Sequence, residues 1–236
     1  VEERFDSTLI AGLLALIAHD LRNPLSALQS NVNYIGGAAA GLDREVQEAV
    51  EDAVVSCESL GHVVENLELL IHGISQTPQR GLESVAIGPL VEECVASHRG
   101  LAASHGMRLE LAPPPPGDSL RVTSHRDLLR RALGNLLRNG IQHGQRTPVT
   151  VSITVQEASA AVVVADGGVP LDDALGDEVF LARGQLAARN SARGRYGRGL
   201  GLYAARVAAT LAGADVRPVP PPGGATHAVA LFMARA

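Results

Sequence analysis

Apolar positions in this chain change their period once. Through the first third they recur at helical spacing: Leu14, Ile17, Leu21, Leu25, Leu28, Val32 and Ile35 stand three or four residues apart and form one stripe of an amphipathic helix. That helix is expected over residues 4–35, ended by Gly36-Gly37, since glycine supplies the left-handed cap. Asp43 then caps a second helix in which Val46, Val50, Ala53, Cys57, Leu60, Val64, Leu67, Ile71 and Ile74 alternate at four and three. Two such helices on a short loop make a hairpin. A lone hairpin leaves apolar surface uncovered, so a dimeric four-helix bundle is expected, with an antiparallel monomeric packing as the alternative.

Residues 75–81 break the heptads with Pro78, Gly81 and polar side chains. This divides the chain into a helical unit over residues 1–77, a linker at 78–81 and a second unit over 82–236. The second unit mixes periods. Strands are expected at 82–87, 107–111, 120–122, 149–156 and 161–165, and a closing hairpin at 214–219 and 225–232. Helices are expected at 89–103, opened by Pro89, then from a Ser124 cap through Leu128, Leu129, Leu133, Leu136 and Leu137, and at 200–211. Pro113 to Pro116 reads as a stiff connector. The fold class is therefore an α-helical hairpin followed by an α+β sandwich, a mixed sheet with helices on one face.

Composition narrows the picture. Hydrophobic residues make up 46% of 236, enough for a real core. A net charge of −5, three Tyr, three Phe and no Trp argue against nucleic acid as a partner. All 20 basic residues are arginine, which excludes lysine-based catalysis. Cys57 and Cys94 have neither CxxC nor Cys/His spacing, so neither a disulfide framework nor a zinc site is expected, and a reducing cytoplasm fits. The apolar run at residues 9–18 is too short to span a bilayer. Because the chain opens with helix already in progress, it is expected to be a cytosolic piece cut from a longer chain, with any membrane link through an upstream segment.

The candidate chemistry starts at Ala18-His19-Asp20-Leu21-Arg22-Asn23-Pro24-Leu25. At about 100° per residue, His19 falls roughly opposite the Ile17/Leu21 seam, and Asn23 one turn below it. Asp20 beside it can hold one ring nitrogen and leave the other free to attack. Pro24 removes a helical hydrogen bond and is expected to bend or loosen the helix just beyond.

Three further signals lie in the second unit. Asn135 and Asn139 share a helix face with His143 one turn on, and an amide oxygen suits magnesium, although a solvated polar stripe gives the same spacing. An apolar strand runs into Asp166-Gly167-Gly168, where a carboxylate can accept from an exocyclic amine such as adenine's; an ordinary Asp-Gly turn reads identically. Gly197-Arg198-Gly199-Leu200-Gly201-Leu202 leads into a helix and offers a phosphate cradle, with Arg198 as an added charge. Residues 182–196 beside it read as a lid.

The octapeptide resembles the phosphoacceptor box of sensor histidine kinases, matched at His19, Asp20, Leu21, Arg22, Asn23, Pro24 and Leu25. Downstream, the asparagine helix, the Asp-Gly strand end, Phe180 and Gly197 to Leu202 resemble, in order, the N, G1, F and G2 boxes of the kinase catalytic domain. That is the GHKL fold shared with gyrases, heat-shock protein ninety and MutL. The pattern departs at Pro170, where a second glycine is usual, at Gln142 and Gly140, and in the short aromatic stretch at Phe180-Leu181-Ala182-Arg183.

The resemblance implies a two-component transmitter core. ATP with Mg²⁺ would bind the second unit and phosphorylate His19, and the group would pass to an aspartate in the receiver domain of a response regulator. Asn139 would hold Mg²⁺, and Asn135 and His143 would support the phosphates. Asp166 would read the adenine amine beside Gly168, while Gly197, Gly199 and Gly201 would wrap the triphosphate together with Arg198 and Leu200. Asp20 would orient His19 and take its proton, and Asn23 would serve dephosphorylation of the regulator. The competing reading is a homodimeric phosphotransfer scaffold with a degenerate nucleotide pocket.

Overall fold

The computed structural model describes residues 7–38, 43–75, 81–114, 120–156, 158–169, 180–181 and 200–235, and the chain divides into two units, Val1–Thr77 and Pro78–Ala236. The expected linker and the lid at 182–196 fall almost wholly outside the described residues.

In the first unit, α1 (Ser7–Ala38) and α2 (Arg44–Ser75) pack on each other. Gly36 and Gly37 do not stop α1; they form part of its last turn, and the helix also continues through Pro24. A helix this long keeps most of its hydrogen bonds whatever a single proline removes. Before α2, the Asp43 carbonyl accepts the amides of Val46 and Gln47 at 3.0 and 3.1 Å. The seam of the hairpin is built from Ala18, Val64 and Ile71, with Leu14, Leu25 and Leu67 packed against them. Cys57 is buried, as a small apolar seam residue should be. Arg22 of α1 pairs with Glu68 of α2.

The apolar stripe of each helix is only half used by this packing. Leu21, Leu28 and Ile35 of α1 and Val46 and Leu60 of α2 remain exposed, Leu21 at 49% and Leu60 at 53%. The same period of three and four therefore serves two faces.

In the second unit, β1 (Glu83–Ala86) pairs antiparallel with β3 (Arg121–Ser124), and a five-stranded sheet runs in the order β2-β4-β5-β7-β6. Its members are β2 (Leu109–Leu111), β4 (Val149–Val155), β5 (Ser159–Asp166), β6 (Asp215–Pro218) and β7 (His227–Ala234). The β2/β4 pair is parallel and the rest are antiparallel, so the sheet is mixed. Three helices pack with it: α3 (Ile87–Ser104), α4 (Arg126–His143) and α5 (Gly201–Leu211).

α4 sits centrally, in contact with α3, α5, β4, β5 and β7. Its leucines carry the core, with Leu129, Leu133 and Leu137 fully buried, facing Val149 and Val151 of β4 and Val162 and Val164 of β5 in the same apolar interior. α5 buries Ala204, Ala205, Ala208 and Ala209, and small side chains of this kind let its backbone approach α4 closely. Phe180, the expected F-box aromatic, is completely buried. Ser124 does not cap α4. His125 holds the cap position without a side-chain bond, and Ser124, at the end of β3, donates its hydroxyl to the Ala212 carbonyl at 2.7 Å, which ties β3 to the end of α5.

Candidate functional site

α4 places Asn135, Asn139 and His143 one turn apart, and burial falls along that line. Asn135 is buried, whereas Asn139 and His143, the last residue of the helix, are half-buried. Asn135 Nδ2 donates to the Arg131 carbonyl one turn back at 3.0 Å. Its Oδ1 is directed at the start of α5, since a Cβ added to Gly201 would stand 3.7 Å from it. Leu200 caps α5, its carbonyl accepting the Ala204 amide at 2.7 Å. Two of the G2 positions are thus brought against the asparagine helix. Gly197, Arg198 and Gly199 lie outside the described residues, as does Pro170.

Asn139 Oδ1 is buried and accepts no hydrogen bond among the described residues. A buried amide oxygen with no donor costs stability unless something binds it. It is a hard oxygen of the type Mg²⁺ prefers, and magnesium needs few protein ligands when phosphate and water supply the rest. The residue thus fits the ion that the sequence assigns to it. No group of three or more His, Cys, Asp or Glu side chains able to hold a metal occurs among the described residues.

Asp166 ends β5 with its side chain 2% exposed. Its Oδ1 accepts the Gly168 amide at 2.7 Å, and its Oδ2 lies 3.1 Å from Nδ1 of His227, itself 5% exposed. The backbone is fixed as well, because the Thr226 amide donates to the Asp166 carbonyl at 3.0 Å.

Two threonines clamp the Gly167-Gly168 turn. Thr147 Oγ1 accepts the Gly167 amide at 2.8 Å and donates to the Gly144 carbonyl at 2.5 Å, while Thr226 Oγ1 donates to the Gly168 carbonyl at 2.5 Å. Thr147 reaches that place through a turn in which Gln145 and Arg146 both adopt left-handed backbone, φ 53° and 62°. Such residues cost about 1–2 kcal/mol each, which the turn's hydrogen bonds must offset. Gly167 is obligatory there: a Cβ on it would come within 2.4 Å of Thr147 Oγ1.

Gly140 lies where α4 meets the strand ends. A Cβ would stand 3.2 Å from Val149 Cγ1 and 3.5 Å from Asp166 Oδ2, so the glycine relieves a tight contact with β4, while the acid lies at ordinary van der Waals distance. The structure therefore brings Asn135, Asn139, His143, Asp166, Gly168, Leu200 and Gly201 to positions around one helix. Thr147, Thr226 and His227 are the members that sequence reasoning missed. Their only local signal was position, each flanking a turn at a strand end; what makes them matter is strand register.

His19 and Asp20 are residues of α1, but their side chains lie outside the described part of the helix. Asn23, one turn on, is exposed. No helix among the described residues is long and apolar enough to cross a membrane.

Comparison with known proteins matches both units. Residues 10–71 match the His Kinase A (phospho-acceptor) domain, and residues 124–235 match the histidine kinase-, DNA gyrase B- and HSP90-like ATPase family. Among relatives, sensor histidine kinase MtrB of Mycolicibacterium paratuberculosis is 26% identical over 186 residues, covering 79% of this chain and 32% of that protein. Sensor histidine kinase GtrS of Pseudomonas aeruginosa is 29% identical over 215 residues, covering 86% and 38%. The chain spans about a third of the length of these relatives.

Solved structures of histidine kinases share the fold. Full-length ShkA, crystallised with AMPPNP, superposes with a TM-score of 0.67 at 18% identity over 95% of this chain and 46% of that one. The Acinetobacter baumannii histidine kinase AdeS superposes with a TM-score of 0.57 at 18% identity over 92% and 97%. With the two family matches in chain order, at residues 10–71 and 124–235, the chain belongs to the sensor histidine kinases, as a transmitter core of phosphoacceptor hairpin and GHKL-type ATPase domain.

Proposed function

We propose that this chain is an ATP-dependent protein-histidine kinase that phosphorylates itself on His19 and passes the phosphoryl group to an aspartate of a response-regulator receiver domain. One observation carries the reading: a complete phosphoacceptor box precedes, on the same chain, a domain whose buried Asp166 and Asn139 Oδ1, the latter without a hydrogen-bond partner among the described residues, suit an adenine and a magnesium ion. The second feature argues against a scaffold with a decayed pocket, because buried polar groups without a ligand are costly to keep.

Asp166 would accept the adenine amine, since an ionised carboxylate only accepts. Asn135 and His143 would support the phosphates, with Gly197, Arg198, Gly199, Leu200 and Gly201 around them at the start of α5, where helix amides favour an anion. Asn139 would hold Mg²⁺, whose charge would neutralise the phosphate oxygens. A ring nitrogen of His19 would attack the γ-phosphorus as the bond to the bridging oxygen breaks and ADP leaves. Asp20 would take the imidazole proton, and Asn23 with Asp20 would position water or regulator for the reverse, dephosphorylating step. Positioning and charge neutralisation are expected to supply most of the rate.

The working unit would be a homodimer. Leu21, Leu28, Ile35, Val46 and Leu60 are exposed on a single hairpin, and burying a large apolar side chain is worth about 1.5–3 kcal/mol, so a second copy covering them gains a substantial association energy. Residues 1–77 would form the dimerising phosphoacceptor domain, 78–81 a linker and 82–236 the catalytic domain. The decisive experiment is incubation with γ-labelled ATP and magnesium. Acid-labile, base-stable label on the protein supports the proposal, and the absence of such label together with undetectable nucleotide binding would make the chain a phosphotransfer scaffold.

A further inference from the structure

We infer that His227 is a positioning residue for nucleobase recognition, setting the acceptor geometry of Asp166 and with it the preference for adenine. The inference rests on the proposed role of Asp166 as reader of the adenine amine. It starts from register. Asp166 and His227 are direct cross-strand partners in the antiparallel β5/β7 pair, so their Cβ atoms share one face of the sheet about 4.5–5.5 Å apart. Both side chains are more than nine-tenths buried, and Nδ1 lies 3.1 Å from Oδ2.

An ionised carboxylate has only acceptors, so the proton in this contact belongs to Nδ1. That assigns the imidazole its tautomer and aims a donor at Oδ2, while the Gly168 amide holds Oδ1 at 2.7 Å. With about four lone-pair sites, the carboxylate can take both donors and a ligand amine as well. A terminal carboxylate torsion is otherwise broad, and burial without donors opposes the charged form. The imidazole addresses both, fixing the plane of the group and keeping it an acceptor.

An acceptor accommodates the 6-amino group of adenine and repels the 6-oxo group of hypoxanthine, an acceptor itself. Loss of the imidazole should therefore change which base is preferred rather than whether a triphosphate binds. The Thr147 clamp holds the backbone of the turn beside the acid, and His227 reaches Oδ2 through its side chain.

The test uses the imidodiphosphate analogues of ATP and ITP, titrated by calorimetry with magnesium into the whole chain. The parent protein should prefer the adenine analogue by at least about tenfold, the scale of one hydrogen bond to a charged group. His227→Leu should weaken the adenine analogue about tenfold and the inosine analogue little. His227→Asn, whose amide can donate from near the place of Nδ1, should retain the preference to within about threefold. A folded His227→Leu protein that keeps the parent preference, or weakens both analogues alike, overturns the inference.

If His227→Leu does not fold, nitrogen-15 spectroscopy of the parent decides. His227 should carry its proton on Nδ1 and respond to the adenine analogue more than to the inosine one. A proton on Nε2 alone, or equal responses, sinks the idea. Asp166→Asn separates this inference from its foundation. If that variant keeps the adenine preference, Asp166 does not read the base at all; if it loses the preference while His227→Leu does not, only the role of His227 fails.

Discussion

The two units solve the problem of burial in opposite ways. In the hairpin, helices of helical period leave Leu21, Leu28 and Leu60 in solvent, and the interior is a thin seam of Ala18, Val64 and Ile71. In the α/β unit, α4 is covered by two helices and a sheet, Leu129, Leu133 and Leu137 are fully buried, and polar residues are buried with them: Ser124, Asn135, Asp166 and His227. A hairpin with an apolar outer face is incomplete alone, which suits a dimerising element. A closed core that holds hydrogen-bonded polar groups among its apolar side chains fixes those groups in place, which suits the proposed nucleotide pocket.

The sharpest way to break this contrast is to remove one function from each unit. His19→Gln should abolish acid-labile labelling and leave nucleotide affinity unchanged, whereas Asp166→Asn should abolish labelling by weakening the adenine nucleotide towards the affinity of its inosine counterpart; calorimetry beside a labelling assay reads the two. Equal loss of nucleotide binding in His19→Gln would mean that the functions are not divided as proposed. Asp20→Asn should retain the acceptor but slow labelling by about 10² to 10⁴, the range of a positioned acid–base group. A rate within threefold of the parent would remove Asp20 from the proton transfer.

The next effect concerns assembly. Leu21→Asp with Leu60→Asp places charges on the exposed apolar face, where a partner would have to bury them unpaired. Sedimentation should show monomers where the parent is dimeric, with nucleotide affinity unchanged. A parent protein that is monomeric at high micromolar concentration would refute the bundle.

Within the closed core, Leu133→Ala should lower stability by about 2–5 kcal/mol in denaturant unfolding, while leaving the dimer intact. The smallest effect is a pH dependence. Burial pushes the Cys94 thiol up from 9.0 to about 11, with nearby Arg130 opposing. A raised folded value means that the native state holds this proton more tightly. Its contribution is complete below about pH 9 and is lost as the pH rises towards 11. Cys94→Ala should flatten that decline, and Cys94 in the parent should resist alkylation at pH 8 until the protein unfolds.

The sequence by itself determined the elements and pointed to most of the candidate site. The switch from period three-and-four to mixed strands located both units, and His19, Asn139 and Asp166 each stood out because their neighbours form a pattern that survives without knowledge of the fold. Helix ends were less legible. Gly36-Gly37 and Ser124 both carried local cap signals that the chain does not use, because long-range packing of α1 on α2 and of β3 against the end of α5 outweighs a cap preference of about 1 kcal/mol.

What only the tertiary structure decided was partnership across distance in sequence. Thr147 meets Gly167, Thr226 meets Gly168 and His227 meets Asp166, separated by 20, 58 and 61 residues. Those contacts depend on strand order β4-β5-β7 and on register, and a slip of one residue would turn His227 to the other face. A lone histidine in an apolar strand gives no sign of its partner, since periodicity records which face a side chain takes but not what lies opposite.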